Sequence, residues 1–163
     1  MNNNPHEINI QAIIKKLDDI LSRNDYTFAC EFLENSIVEA KSINDLKALF
    51  TLYNECIGIY RKIGKKENCY FYCNKALEAT ESLKLSESVS GATTFINCAT
   101  AYKAFSEAEK GISFFEKAKR IYEEELPPND KRLAGLYNNF ALALTDLKRF
   151  DEAIALYEKA ISV

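Results

Sequence analysis

Residues 137–160 read YNNFALALTDLKRFDEAIALYEKA. Large and small apolar side chains recur there three, four or seven residues apart, first at Tyr137, Phe140, Ala141 and Leu144, then at Ala153, Tyr157 and Ala160. Such spacing puts each set on one face of a helix. The polar stretch DLKRFDEA interrupts the pattern, so the segment reads as two amphipathic helices joined by a short turn. A shift of 42 residues finds the same text again. Lys75, Lys117 and Lys159 each precede an alanine and stand 42 apart. The columns Tyr53/Phe95/Tyr137, Cys56/Cys98/Phe140, Tyr60/Tyr102/Leu144, Cys69/Gly111/Ala153, Cys73/Phe115/Tyr157 and Ala76/Ala118/Ala160 align with them. Neither helix of such a pair buries its apolar stripe alone, so neighbouring units must stack.

Residue size within the columns has a packing reason. Gly111 and Ala153, Ala99 and Ala141, and Ala118 and Ala160 fall where the helices cross, and small side chains let the backbones approach. Aromatic residues one turn away fill the remaining space. Cys69 falls in the small column and Cys56 and Cys98 in a medium one, as expected of thiols that serve as small hydrophobes. The lysine of the repeated tripeptide is expected to face solvent.

Composition bounds the rest. Of 163 residues 47% are hydrophobic and 28% charged, which describes a globular chain rather than a disordered one. Five glycines and three prolines favour long helices over many short strands. A net charge of −3 argues against general binding to nucleic acid. The start MNNNPHEIN lacks a basic region followed by an apolar run, and no stretch of about 18 apolar residues occurs, so an intracellular, cytoplasmic protein with no membrane partner is expected. Five widely spaced cysteines do not suggest a disulfide framework. Cys69 and Cys73 stand four apart, yet a structural metal site needs four ligands and His6 is the sole histidine, so no metal or other cofactor is expected.

The stretch 137–160 resembles a tetratricopeptide repeat: an aromatic, large and small residues on the first helix, then Ala153, Tyr157 and Ala160 on the second. Residues 95–118 match with Phe95, Cys98, Ala99, Tyr102, Gly111, Phe115 and Ala118. Residues 53–76 match less well, because Ile57 stands where the family has Gly or Ala, and residues 7–42 keep only fragments of the motif. The 42-residue period is similar to the long repeats of kinesin light chains and of bacterial peptide-sensing regulators. The resemblance implies an all-α fold, a right-handed α-solenoid of about four stacked helical hairpins. Residues 1–6 are expected as a disordered tail and 7–163 as one domain, with units at about 7–42, 45–84, 87–126 and 130–163. Helices are expected at about 7–22, 26–42, 45–63, 66–84, 87–104, 107–126, 130–146 and 151–161. Asn44-Asp45 and Asn129-Asp130 offer caps, Pro127-Pro128 a stop, and KLSESVSG a turn.

Catalysis finds no support. GIYRKIGKK, residues 58–66, has five residues between its glycines and a second lysine where a phosphate loop needs Ser or Thr. A lone histidine in a polar tail builds no nucleophilic triad, and Asp18-Asp19 and Asp151-Glu152 read as solvated pairs. The resemblance implies ligand binding in a concave groove lined by first helices. Its groove positions fall on Asn54, Gly58 and Arg61, on Asn97, Thr100 and Lys103, and on Asn138 and Thr145. Amides offer both donor and acceptor to an extended peptide backbone, and Arg61 and Lys103 suit a carboxylate. The two-lysine, two-asparagine, one-arginine clamp of some relatives is absent, with Leu142 and Asp146 in its places. Arg61, Lys62, Lys65 and Lys66 read as a solvated turn. Leu144, Ile154 and Ile161 are expected to form an apolar end. A non-catalytic module binding a protein or peptide segment follows from this. The alternatives are a peptide-responsive regulatory fragment and a self-assembly unit, possible as a homodimer, that pairs through its apolar C-terminal end.

Overall fold

The computed structural model describes residues 7–163; the six-residue tail, with His6, lies outside them. Among the described residues the regular elements are eight helices: α1 (Ile10–Ser22), α2 (Tyr26–Ser42), α3 (Leu46–Lys62), α4 (Lys66–Ser82), α5 (Val89–Ala104), α6 (Ala108–Glu125), α7 (Lys131–Asp146) and α8 (Phe150–Ser162). Their packing divides into two compact units, Met1–Leu83 and Lys84–Val163.

The boundaries have local causes. Asn9, Asp25, Asp45, Ser88 and Asp130 each accept a hydrogen bond from a backbone N–H of the first turn that follows, satisfying a donor that the helix cannot pair. Asp45 also accepts from the Ile8 backbone N–H at 2.9 Å, tying the segment before α1 to the start of α3. Pro127-Pro128 follows α6, as expected. The turns inside the hairpins repeat a single backbone solution. Gly64, Ser106 and Lys148, 42 residues apart, have φ of 72°, 62° and 60°. The N–H of the next residue bonds five residues back, Lys65 to Tyr60, Glu107 to Tyr102 and Arg149 to Leu144 at 2.8–2.9 Å, the Schellman closure of a helix end.

In the first unit α3 pairs with α4 and also packs on α2, which packs on α1. Its core holds Leu17, Leu33, Leu52 and Ile57, with Tyr60 stacked on Tyr72 at 5.6 Å. Ile57, the residue that departs from the family pattern, is buried, and the Cys69 thiol donates to its carbonyl at 3.4 Å. In the second unit α5 pairs with α6 and α7 with α8, and α7 packs on α6. The crossing of α5 and α6 is the tightest point among the glycines. A Cβ on Gly111 would lie 2.9 Å from the Ala99 carbonyl oxygen and 3.1 Å from its Cα. Leu144 is buried in this core, so it does not belong to the apolar end expected of it; its register places it between α7 and α8 rather than outside them.

The repeated lysine also differs from expectation. It does not simply face solvent. Lys117 Nζ lies 4.6 Å from the centre of the Phe95 ring and Lys159 Nζ 5.5 Å from that of Tyr137. In each copy the aromatic stands 22 residues earlier, on the first helix of the same hairpin. Lys75 holds the same place relative to Tyr53, whose hydroxyl it influences electrostatically, and lies 6.0 Å from the Phe71 ring. The tripeptide therefore carries two contacts per hairpin. Its alanine packs between the helices, and its lysine stem lies along the aromatic face with the ammonium over the ring.

Gly111→Ala is expected to lower stability by about 1–3 kcal/mol, because the obstacle is backbone that cannot move aside. Gly58→Ala and Gly135→Ala, whose added Cβ meets nothing within 4 Å, are expected to raise it by up to about 1 kcal/mol each through helix propensity. Urea unfolding followed by circular dichroism separates the two signs. By the same measurement Lys117→Ala should cost about 0.5–1 kcal/mol. Lys117→Arg should retain most of that, and Glu87→Gln, which removes only the 3.6 Å ion pair of Lys117, should cost less than Lys117→Ala.

Candidate functional site

The sequence-derived residues divide between the two units. In the first, Asn54 and Arg61 stand seven apart on one face of α3. Both are half-buried, and the Asn54 amide donates to the Phe50 carbonyl at 3.0 Å. Arg61 lies near enough to Cys69 to act on its thiol electrostatically. Gly58 stands between them on this face. Lys62, Lys65 and Lys66 are exposed around the turn at Gly64, and Lys66 Nζ lies 5.4 Å from the Tyr70 ring.

In the second unit Asn97, Thr100 and Lys103 occupy α5, and Asn138 and Thr145 occupy α7. These two first helices lie side by side, and Lys103 Nζ is 3.8 Å from an Asp146 carboxylate oxygen across them. The structure thus brings the α5 and α7 residues onto neighbouring helices. It also shows what engages them. The Thr100 hydroxyl donates to the Ile96 carbonyl at 2.7 Å and that of Thr145 to Ala141 at 2.9 Å. Lys103 is partly neutralised by Asp146. Asn138 and Leu142, one turn apart on α7, are exposed.

One charged centre has no counterpart among the sequence-derived residues. Glu123, near the end of α6, accepts hydrogen bonds from Tyr137 Oη and Lys159 Nζ at 2.9 Å each and from Lys119 Nζ at 3.0 Å. It knits α6, α7 and α8 together beside a cleft of about 280 Å³ lined by Leu126, Leu133, Tyr137 and Lys159. Burial pushes its carboxyl up, but the hydrogen bonds from Lys159, Lys119 and Tyr137 outweigh that and hold it below the ordinary glutamate value. Burial, opposed only weakly by Lys159's neighbourhood, also moves the Tyr137 phenol up to about 12. The sequence signal that points here is the lysine found 22 residues after the aromatic in each copy. The carboxylate it shares is not periodic.

The cysteines behave as packing. No disulfide joins them, and Cys56, Cys69, Cys73 and Cys98 are buried. Burial pushes the Cys30 and Cys56 thiols up, and at Cys69 a hydrogen bond with Cys73 does so first and burial second. Raised thiols are poor nucleophiles. Among the described residues no group of three or more His, Cys, Asp or Glu side chains is placed to hold a metal ion, and no helix is long and apolar enough to cross a membrane.

Because the folded-state pKa of Glu123 is depressed, its contribution is fully present above the unfolded value of about 4.3 and fades as pH falls through the lower folded value. Wild type should therefore exceed Glu123→Gln in stability at pH 7, and the difference should shrink progressively below about pH 4. Paired urea titrations at pH 7, 5, 4 and 3 check this; a difference that grows on acidification would contradict the assignment.

Comparison with known proteins agrees with this geometry. Residues 92–163 match the tetratricopeptide repeat family model. A search of curated proteins by sequence finds no match. Among solved structures, BtubC (BKLC) from P. vanneervenii superposes with a TM-score of 0.83 at 20% identity, over 94% of this chain and 61% of that one. The present chain therefore spans less than two thirds of that relative's length. The likeness shows an all-α solenoid fold built of helical hairpins. Residues 92–163 belong to the tetratricopeptide-repeat family, and the hairpins before them repeat the same architecture.

Proposed function

We propose that this chain is a non-catalytic, cytoplasmic interaction module that takes an extended segment of a protein partner along the faces of its first helices. Tetratricopeptide repeats generally mediate protein–protein interaction, and that coarser statement holds for the family. The observation that carries the finer one is the pairing of α5 with α7 in the second unit. Two first helices adjoin there, with Asn97, Thr100 and Lys103 on one and Asn138 with exposed Leu142 on the other. Amides spaced along such a surface bond to peptide backbone in either sense, and Leu142 supplies an apolar contact for a side chain. Lys103 adds a cation, reduced by Asp146, so a preference for acidic partners is modest. On the first unit, Asn54 and Arg61 offer a smaller surface of the same kind.

Peptide display on the immobilised chain, followed by calorimetric titration of the selected peptides, tests this reading. Asn97→Ala/Asn138→Ala is expected to weaken their binding about tenfold, the loss of one or two hydrogen bonds of about 1 kcal/mol each. Lys103→Glu is expected to shift selection away from acidic sequences. Peptides that bind both variants as tightly as wild type would remove the first-helix face from consideration.

A further inference from the structure

Helix α8 carries Phe150, Ile154, Tyr157 and Ile161 at intervals of four, three and four residues, a single stripe along its length. Its other apolar residues, Ala153 and Leu156, are buried, and α8 packs on α7. The 42-residue register says what the exposed stripe corresponds to. In α6 its first three positions are Ala108, Ile112 and Phe115, which are 5%, 8% and 0% exposed. There α7 packs on α6, and Phe140 stacks on Phe115 with ring centres 5.1 Å apart and planes 13° from parallel. In α8 the counterparts Phe150 and Ile154 are each 55% exposed, and Ile161 is 86% exposed.

Charge repeats in the same register. Arg149, just beyond the C-terminal end of α7, lies within electrostatic reach of Glu109 and Glu116 on α6. Forty-two residues on, these two acids recur as Asp151 and Glu158 beside the α8 stripe. The face thus repeats both halves of the surface that receives α7: an apolar stripe with an aromatic at its centre and an acidic edge.

Another copy of the chain fits this face poorly. Asn24 and Gly64, both with positive φ, mark equivalent turns 40 residues apart. By that register Lys16 of α1 falls in the column of Cys56, Cys98 and Phe140. Lys16 is exposed, with Nζ 4.8 Å from the Phe32 ring. A cation therefore stands where the internal interface has its stacked phenylalanine. Pairing α8 with α8 would instead bring two acidic edges together. We propose that α8 docks an amphipathic helix of a partner protein, one with an aromatic residue at the centre of its apolar stripe and a basic residue just beyond its C-terminal end.

The probe is a fluorescein-labelled peptide of residues 129–149, the α7 sequence with its trailing Arg149, titrated with the full chain and read by anisotropy. Saturable binding is expected, weakened at least tenfold by Ile154→Glu in the chain or by Phe140→Ala in the peptide. Asp151→Lys/Glu158→Lys should weaken it severalfold, with the loss diminishing at high salt. Ile154 is exposed, so circular dichroism should show the variant folded as wild type. Absence of saturable binding, or equal binding to Ile154→Glu, overturns the proposal. So does sedimentation equilibrium showing a wild-type dimer that Ile154→Glu dissociates, which assigns the face to a second copy. Display peptides sensitive to Asn97→Ala/Asn138→Ala but not to Ile154→Glu would support the first-helix site alone, so the two sites fail or stand separately.

Discussion

The second unit depends on how closely two backbones approach where α5 crosses α6. Gly111 has no Cβ, and the space that a Cβ would fill is taken by the Ala99 backbone. This contact sets the hairpin's separation, which in turn sets what fits on either side of it. Phe95 and Phe114 come within 6.0 Å, and Phe115 is turned outward onto Phe140 of the next hairpin. A solenoid propagates such choices, because each hairpin is the template for its neighbour. The aligned crossing of α7 and α8 uses Ala141 and Ala153 instead, both buried.

The first unit reaches the same packing by different chemistry. Ile57 is bulkier than Ala99 or Ala141 at the aligned position, yet it is buried, and the opposing residue is Cys69, whose thiol donates to the Ile57 carbonyl. A thiol is small enough to permit the approach and polar enough to bond across it. This explains why the family pattern fades in residues 53–76 while the hairpin persists. The constraint acts on the combined size of the two facing residues, not on either alone.

Helix spans and caps were legible in the sequence because they are local. Apolar period, Asp45 and Asp130 as caps, and Pro127-Pro128 as a stop all act within one or two turns. The repeated lysine was misread for a related reason. Its place on its own helix is polar, and only the neighbouring helix supplies the aromatic ring beneath it. Glu123 was illegible because its three donors come from α6, α7 and α8, and its position has no counterpart in the repeat. The first-helix residues were located correctly on their helices by register. What register does not reveal is competition for them: the Lys103 ammonium meets Asp146, and the Thr100 hydroxyl is engaged by its own helix.

Repetition offers a control that a single-copy fold lacks. Two positions in the same column have nearly the same backbone and differ in what surrounds them, so a change in burial along a column isolates the contribution of a neighbour. Ile112 and Ile154 are the same residue in the same register, one covered and the other open. Identical chemistry with different exposure cannot be ascribed to residue choice or helix geometry. It reports the presence of α7 against one and of no described helix against the other. Where the column also keeps its acids, from Glu109 and Glu116 to Asp151 and Glu158, the open face retains the charge pattern of an interface as well as its apolar stripe. A merely solvated final helix has no physical reason to retain both.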